Sequence, residues 1–261
     1  MNFRALLIAS IVSTGSIAAD SPASALEDVT LSLSTGYDYS SGDYGDTEET
    51  TITFVPFTAQ LELDAWTVKV STSWLEIDGP GSLVADGDVV PGTSTGASGM
   101  GDTNFTLAYL IYPFIDNGPF VELSGKVKVP TADETKGLGS GETDVTGMAS
   151  LFQKVGDSVT LFADAGYRSR GSSDLYDLEN GFIGALGGSY KFSDVTTAGL
   201  MFNYRQAATE TGEDPMDLTP YVTLKPWENW VVNTYATIGL SDASPESGFG
   251  IMLKRKIDFL D

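Results

Sequence analysis

From residue 28 to the end, apolar residues return at every second position rather than every third or fourth. Val29, Leu31, Leu33, Tyr37 and Tyr39 alternate with Thr30, Ser32, Ser34, Gly36 and Asp38. Trp66, Val68, Val70 and Trp74 alternate with Thr67, Lys69, Ser71 and Ser73, and Val121, Leu123, Val127 and Val129 with Glu122, Ser124, Lys126 and Lys128. Successive side chains of a strand point to opposite faces, so this period predicts strands, each with one apolar and one polar face. No stretch of the mature chain reads as a helix. The period marks out twelve segments, at 28–40, 50–63, 66–77, 103–113, 118–129, 144–155, 158–170, 180–192, 195–206, 217–226, 230–241 and 246–259. Most reach the ~9–11 residues that a tilted membrane-crossing strand needs. Pro56 interrupts the alternation in the second segment and predicts a bulge there.

The connections separate into two kinds. Asp64-Ala65, 114–118, Gly156-Asp157, Ser193-Asp194 and 227–229 are short. Between them lie longer ones, 41–49, 78–102, 130–143, 171–179, 207–216 and 242–245, rich in Gly, Ser, Thr and acids. Short and long connections alternating around an even number of strands are the pattern of an outer-membrane barrel with short periplasmic turns and longer external loops. The expected fold is therefore all-β: a single antiparallel up-and-down transmembrane β-barrel of about 12 strands. The polar phase is mostly Gly, Ser, Thr and Asn, which suits a wet or side-chain-filled lumen. Aromatics such as Tyr37, Trp66, Trp74, Tyr167, Tyr190, Phe192, Trp227 and Trp230 lie near strand ends, where interfacial girdles sit. A soluble barrel of the lipocalin kind shares the period but turns its apolar set inward.

The first residues read differently. Arg4 precedes an apolar run from Ala5 to Val12, and small residues come after it. This is the form of a secretory signal peptide, residues 1–19, with cleavage as late as 25 offered by Ala23-Ser24-Ala25. The barrel domain then spans 26–261, and the expected location is the bacterial outer membrane.

Composition removes whole classes of chemistry. With no Cys and no His among 261 residues, disulfides, thiol catalysis, Cys-ligated metals and His-based hydrolysis are excluded. Fourteen bases against 36 acids, net −22, argue against nucleic acid as a partner. The glycine-rich run Gly137–Gly141 lacks the lysine and helix of a phosphate loop. Paired acids occur only in loops with no convergent group to position them, so no enzyme, cofactor or metal site is expected.

The charge is not spread evenly. Acids gather in and beside the long connections, where the one base is Lys136. By strand phase the remaining bases of the mature chain point with the polar set, Arg255 excepted. Lys126, Lys128, Arg168, Arg170 and Arg205 fall near the external ends; Lys69, Lys154, Lys191, Lys225, Lys254 and Lys256 fall near the periplasmic ends. A charge on the lipid face costs ~2–4 kcal/mol at the midplane, which accounts for inward bases in any barrel. Basic rings can also set the selectivity of a lumen. The candidates are Lys126, Lys128, Arg168, Arg170, Arg205 and Lys69, with the inward acids Glu122 and Asp164 and the descending loops as counter-charges. Loops 78–102 and 130–143 are the candidates to fold inward.

Three segments resemble a proteobacterial family of outer-membrane transporters of the phenol-degradation (meta-pathway) type. They are Ser98-Gly99-Met100-Gly101-Asp102; Lys126-Val127-Lys128-Val129-Pro130-Thr131 with Gly137-Leu138-Gly139-Ser140-Gly141-Glu142-Thr143-Asp144; and Gly166-Tyr167-Arg168-Ser169-Arg170-Gly171. Thr131-Ala132-Asp133 departs mildly from the family's T-G-D run. The last strand, Phe249 to Phe259 on one face, resembles the C-terminal assembly signal of such barrels, with Leu260-Asp261 after the terminal aromatic. The resemblance implies a channel or transporter for hydrophobic or aromatic compounds. Its expected partners are outer-membrane lipid and lipopolysaccharide, the barrel-assembly machinery and a small solute. An anion-selective porin with a basic lumen and a structural or adhesive barrel without transport are the alternatives.

Overall fold

The computed structural model describes residues 29–85, 88–91, 96–171 and 175–258; the expected signal peptide and the last aromatic lie outside them. In chain order the strands are β1 (Val29–Gly42), β2 (Thr50–Leu63), β3 (Trp66–Asp78), β4 (Gly81–Ala85), β5 (Asp88–Pro91), β6 (Ala97–Met100), β7 (Thr103–Ile111), β8 (Phe120–Val129), β9 (Asp144–Val155), β10 (Val159–Ser169), β11 (Gly181–Lys191), β12 (Thr196–Arg205), β13 (Met216–Leu224), β14 (Trp230–Gly239) and β15 (Ser247–Asp258). Each wall strand pairs antiparallel with the next around the ring, and β1 pairs with β15 from Thr30↔Asp258 to Ser41↔Ser247, which closes it. β6 and β7 both pair with β3 and make one stave, so the barrel has twelve. The described residues contain no α-helix, only a 3₁₀ turn at Glu134–Lys136.

The expected bulge is misplaced. Around Pro56 the register against β1 and β3 never shifts: Thr35↔Phe57 and Asp38↔Phe54 lie on one diagonal, as do Val55↔Trp74 and Phe57↔Thr72. Proline lacks the N–H, so the ladder toward β1 loses pairs without gaining a residue. The extra residue sits between β6 and β7. Trp74↔Met100 and Ser71↔Asn104 set three steps of β3 against four, and the Gly101 N–H donates to the Ser73 carbonyl at 2.8 Å. The bulge reverses the phase: Ala97, Gly99 and Gly101 share a face with Asn104, Thr106 and Ala108.

The apolar phase faces out. Leu33, Phe57, Val68, Phe105, Leu107, Leu151, Leu161, Leu186, Leu200 and Ile251 are exposed, while Ser32, Gln60, Glu122, Ser150, Thr197 and Thr219 on the opposite phase are buried. Water would not tolerate an unbroken apolar belt of this kind, and hydrocarbon requires it. The belt is bounded by two aromatic rows. Trp66 and Tyr109 (centroids 4.7 Å apart), Tyr190 and Phe192 (4.9 Å) lie toward the short turns; Tyr37 and Phe249 (6.2 Å), Tyr167 and Phe182 (5.1 Å) lie toward the long loops. Arg255, the base outside the inward phase, is exposed beside the short turns with its guanidinium 5.4 Å from the Trp230 ring centroid.

The lumen is filled at two levels. Leu110, Phe120, Phe152, Phe162, Ala185, Met201 and Tyr221, with Tyr235, form an apolar belt along the inner wall from β7 to β14. Nearer the long loops, Ile52, Leu75 and Ile77 of the wall pack with Tyr44 and Leu138 of two loops and with Leu83 and Val89 of the β4–β5 hairpin.

The candidate functional site at the loop end of the lumen

The longest connection, between β3 and β6, carries the β4–β5 hairpin, paired from Gly81↔Pro91 to Ala85↔Asp88. Its alternation gives it two faces. Leu83 and Val89 point to the apolar cluster against β2 and β3. Asp88 and Val90 point the other way, where Val90 packs with Ala208, Tyr176 and Leu178 of two further loops. A hairpin with both faces engaged is buried inside the barrel mouth, not spread over it.

Asp88 decides how it is held. Its Oδ2 accepts from Arg168 Nη1 and Arg170 Nη2, each at 2.5 Å, and its Oδ1 lies 3.4 Å from Arg205 Nε. Asp88 and Arg168 are almost completely buried, and Arg205 retains slight exposure. Burial pushes the Asp88 carboxyl up, but the guanidiniums of Arg168, Arg205 and Arg170 outweigh it and hold it below the usual carboxylate range. The arginines come from the wall: Arg168 from β10, Arg170 just past its end, Arg205 from the end of β12. Each is fixed in turn. Arg170 donates its backbone N–H to Asn180 Oδ1 at 2.7 Å and its Nη1 to the Glu179 carbonyl. Arg205 Nη2 lies 3.8 Å from Asp217 Oδ2, and Asp217 Oδ1 accepts from Asn203 Nδ2 at 2.6 Å.

A second charged knot fastens the loop after β8. Lys128 Nζ donates to Ser140 Oγ at 2.8 Å and lies 3.0 Å from Asp144 Oδ2 and 3.3 Å from Asp102 Oδ2. Asp102 Oδ1 in turn accepts from the N–H groups of Thr131 and Ala132, both at 3.0 Å. This loop then clasps the hairpin: the Leu83 N–H donates to the Gly137 carbonyl at 2.9 Å. Gly137 has φ +71°, and a Cβ there would meet Ser82 Oγ at 2.6 Å, so conformation and close approach both select glycine. Beside Asp133, the Thr135 hydroxyl and then Lys136 hold that exposed carboxyl down.

The sequence-level candidates therefore fall into two groups. Arg168, Arg170 and Arg205 converge on one carboxylate. Lys128 is engaged with Asp102 and Asp144, and Lys126 is buried on the same strand face, opposite Thr146. Glu122 and Asp164, expected as counter-charges, lie farther down the wall, opposite Ser150 and Ala185 among others. Lys69 lies toward the short turns, opposite Gln60 and Thr106. At the mouth, Asp88, Asp102, Asp144 and Asp217 from loops and strand ends meet these bases. Asp88 was legible only as one loop acid among many. Its signal was its setting, between Val84 and Val89-Val90 in the longest acidic connection.

No family model matches the chain, and no curated protein matches it by sequence. Solved structures do resemble its fold. The COG4313 outer membrane channel from Pseudomonas putida F1 aligns with TM-score 0.65 at 14% identity, over 88% of this chain and 95% of that one. The KdgM porin aligns with TM-score 0.56 at 9% identity, over 86% and 98%. The translocator domain of the autotransporter NalP from Neisseria meningitidis aligns with TM-score 0.51 at 9% identity, over 88% of each chain.

Proposed function

With the fold of outer-membrane channels as the starting point, we propose that this protein is itself an outer-membrane channel for passive movement of a small solute. The observation that carries the reading is the contrast across the wall. Lipid-compatible residues cover the outside, and the inside holds a loop hairpin fastened largely by charge. A barrel serving only as an anchor has no need of an inserted strand pair whose key contact is a buried ion cluster with the wall. The short turns would face the periplasm and the long acidic loops the exterior, against lipopolysaccharide.

The nature of the solute is read from the lumen. The apolar belt from Leu110 to Tyr235 supports the hydrophobic or aromatic cargo implied by the resemblance to the phenol-degradation transporters. An open anion-selective pore is less well supported, because the bases at the mouth are matched by Asp88, Asp102, Asp144 and Asp217. Conductance of the purified protein in planar bilayers tests the reading. Low conductance is expected with the hairpin in place, rising several-fold when residues 81–91 are replaced by a short Gly-Ser linker. No conductance from either protein, both folded by heat-modifiable gel mobility, would leave the structural or adhesive barrel.

A further inference from the structure

We infer that Arg168, Arg170 and Arg205 form a carboxylate-binding site, occupied here by the protein's own Asp88, and that a carboxylate-bearing solute releases the hairpin by taking its place. This deepens the channel reading and rests on it for its purpose, though not for its test.

The receptor and the occupant have different origins. Arg168 and Arg205 are carried by staves of the wall and Arg170 follows just past the end of β10, where the β10–β11 and β9–β10 ladders run unbroken to Arg168. The carboxylate arrives on a hairpin that belongs to no stave. All three guanidiniums meet the one carboxylate of Asp88, and Arg205 also lies 3.8 Å from Asp217. Arg170 Nε is buried with no hydrogen-bond partner among the described residues, so the site has donor capacity that Asp88 leaves unused. Guanidinium forks match a carboxylate in two-point geometry, and a free carboxylate can orient to use them where a tethered one cannot.

The same alternation that built the hairpin sets the consequence of its release. Asp88 and Val90 share a face, so losing the ion pairs frees the side on which Val90 meets Ala208. Below the arginines on the same staves lie Phe162 on β10 and Met201 on β12, an apolar wall for the body of a solute whose head the arginines hold. The class is thus an organic acid, taken up as its anion.

The chain has no cysteine, so Val90→Cys provides a single reporter of hairpin position. The experiment measures maleimide labelling of V90C, folded in detergent, in sodium benzoate, sodium acetate or sodium chloride at equal ionic strength. Labelling should be slow in chloride and rise at least several-fold, saturably, with either carboxylate. Adding Asp88→Asn should make labelling fast and indifferent to the anion. Adding Arg168→Gln with Arg170→Gln should do the same, and Arg205→Gln alone serves if that protein does not reach the folded gel mobility. Equal labelling in all three salts, or a D88N protein that labels slowly and still responds to benzoate, overturns the inference. Because labelling needs no ion flow, a carboxylate response in a protein that never conducts would keep the site and reject the channel.

Discussion

The two ends of the lumen carry the same kind of residue and treat it differently. At the loop end, Lys128, Arg168, Arg170 and Arg205 are buried or nearly so and meet acids within 4 Å. At the turn end, Lys191 is half-buried and meets Asp194 of its own turn at 2.6 Å, with Asp194 almost fully exposed. Both ends obey one rule, that charge must avoid the lipid face. What differs is reach. A two-residue turn cannot carry an acid back into the barrel, whereas the long connection between β3 and β6 carries a whole hairpin. Loop length, not base content, decides which end receives a hairpin.

The largest test of this contrast is Asp88→Ala. Removing one member of a buried ion cluster leaves guanidiniums uncompensated and costs about 3–5 kcal/mol. The hairpin should become a protease target, read by limited proteolysis in detergent, while the barrel keeps its heat-modifiable mobility. Loss of the barrel itself would show that the two are not separable. Leu138→Ala comes next. Leu138 is almost completely buried between the loop and the wall, and its truncation should cost about 2–5 kcal/mol in a urea titration. Leu186→Arg, on the lipid face midway along β11, should cost about 2–4 kcal/mol of barrel stability without disturbing hairpin protection. Asp194→Asn at the opposite end should leave the urea midpoint where it was, because an exposed pair gains little over its hydrated separate ions. An effect as large as that of Asp88 would erase the distinction between the ends.

Acid should sharpen it further. Asp88 sits below the usual carboxylate range because three guanidiniums outweigh its burial. A depressed group stabilises the folded arrangement above its ordinary value, about 4, and loses that contribution as pH falls through the depressed one. Labelling of V90C, taken relative to free cysteine at the same pH because only the thiolate reacts, should therefore stay flat from pH 8 to 5 and accelerate only below about 4. Acceleration near pH 6 would assign the latch to another group. Asp194, also lowered by its Lys191 partner, touches nothing in the hairpin.

The staves were legible because a wall between lipid and lumen imposes its period on every residue, and twelve segments survived as twelve staves. Within the long connections no such constraint acts. β4 and β5 are too short for a period to show, and Asp86-Gly87-Asp88 between apolar pairs reads as loop. β6 was hidden by the bulge at Gly101, which reverses the phase and makes the stave look as if it starts at Thr103. The proline misled for the opposite reason: its chemistry suggests a distortion that the flanking ladders do not permit. The wall arginines were identified by phase, but their partner was not, because pairing across eighty residues leaves no local trace.

The seam between β1 and β15 sets a timetable for the chain. The first stave of the finished ring is also the first made, yet its outer edge is covered only by residues 247–258. Contacts so distant in sequence form slowly. Until the last stave arrives, β1 presents a row of open N–H and C=O groups beside a lipid-loving face, the combination most prone to pairing with a second chain. An immature barrel of this protein is therefore a species that must be escorted, and a cell short of escorts should accumulate it as aggregate long before it misplaces a single loop.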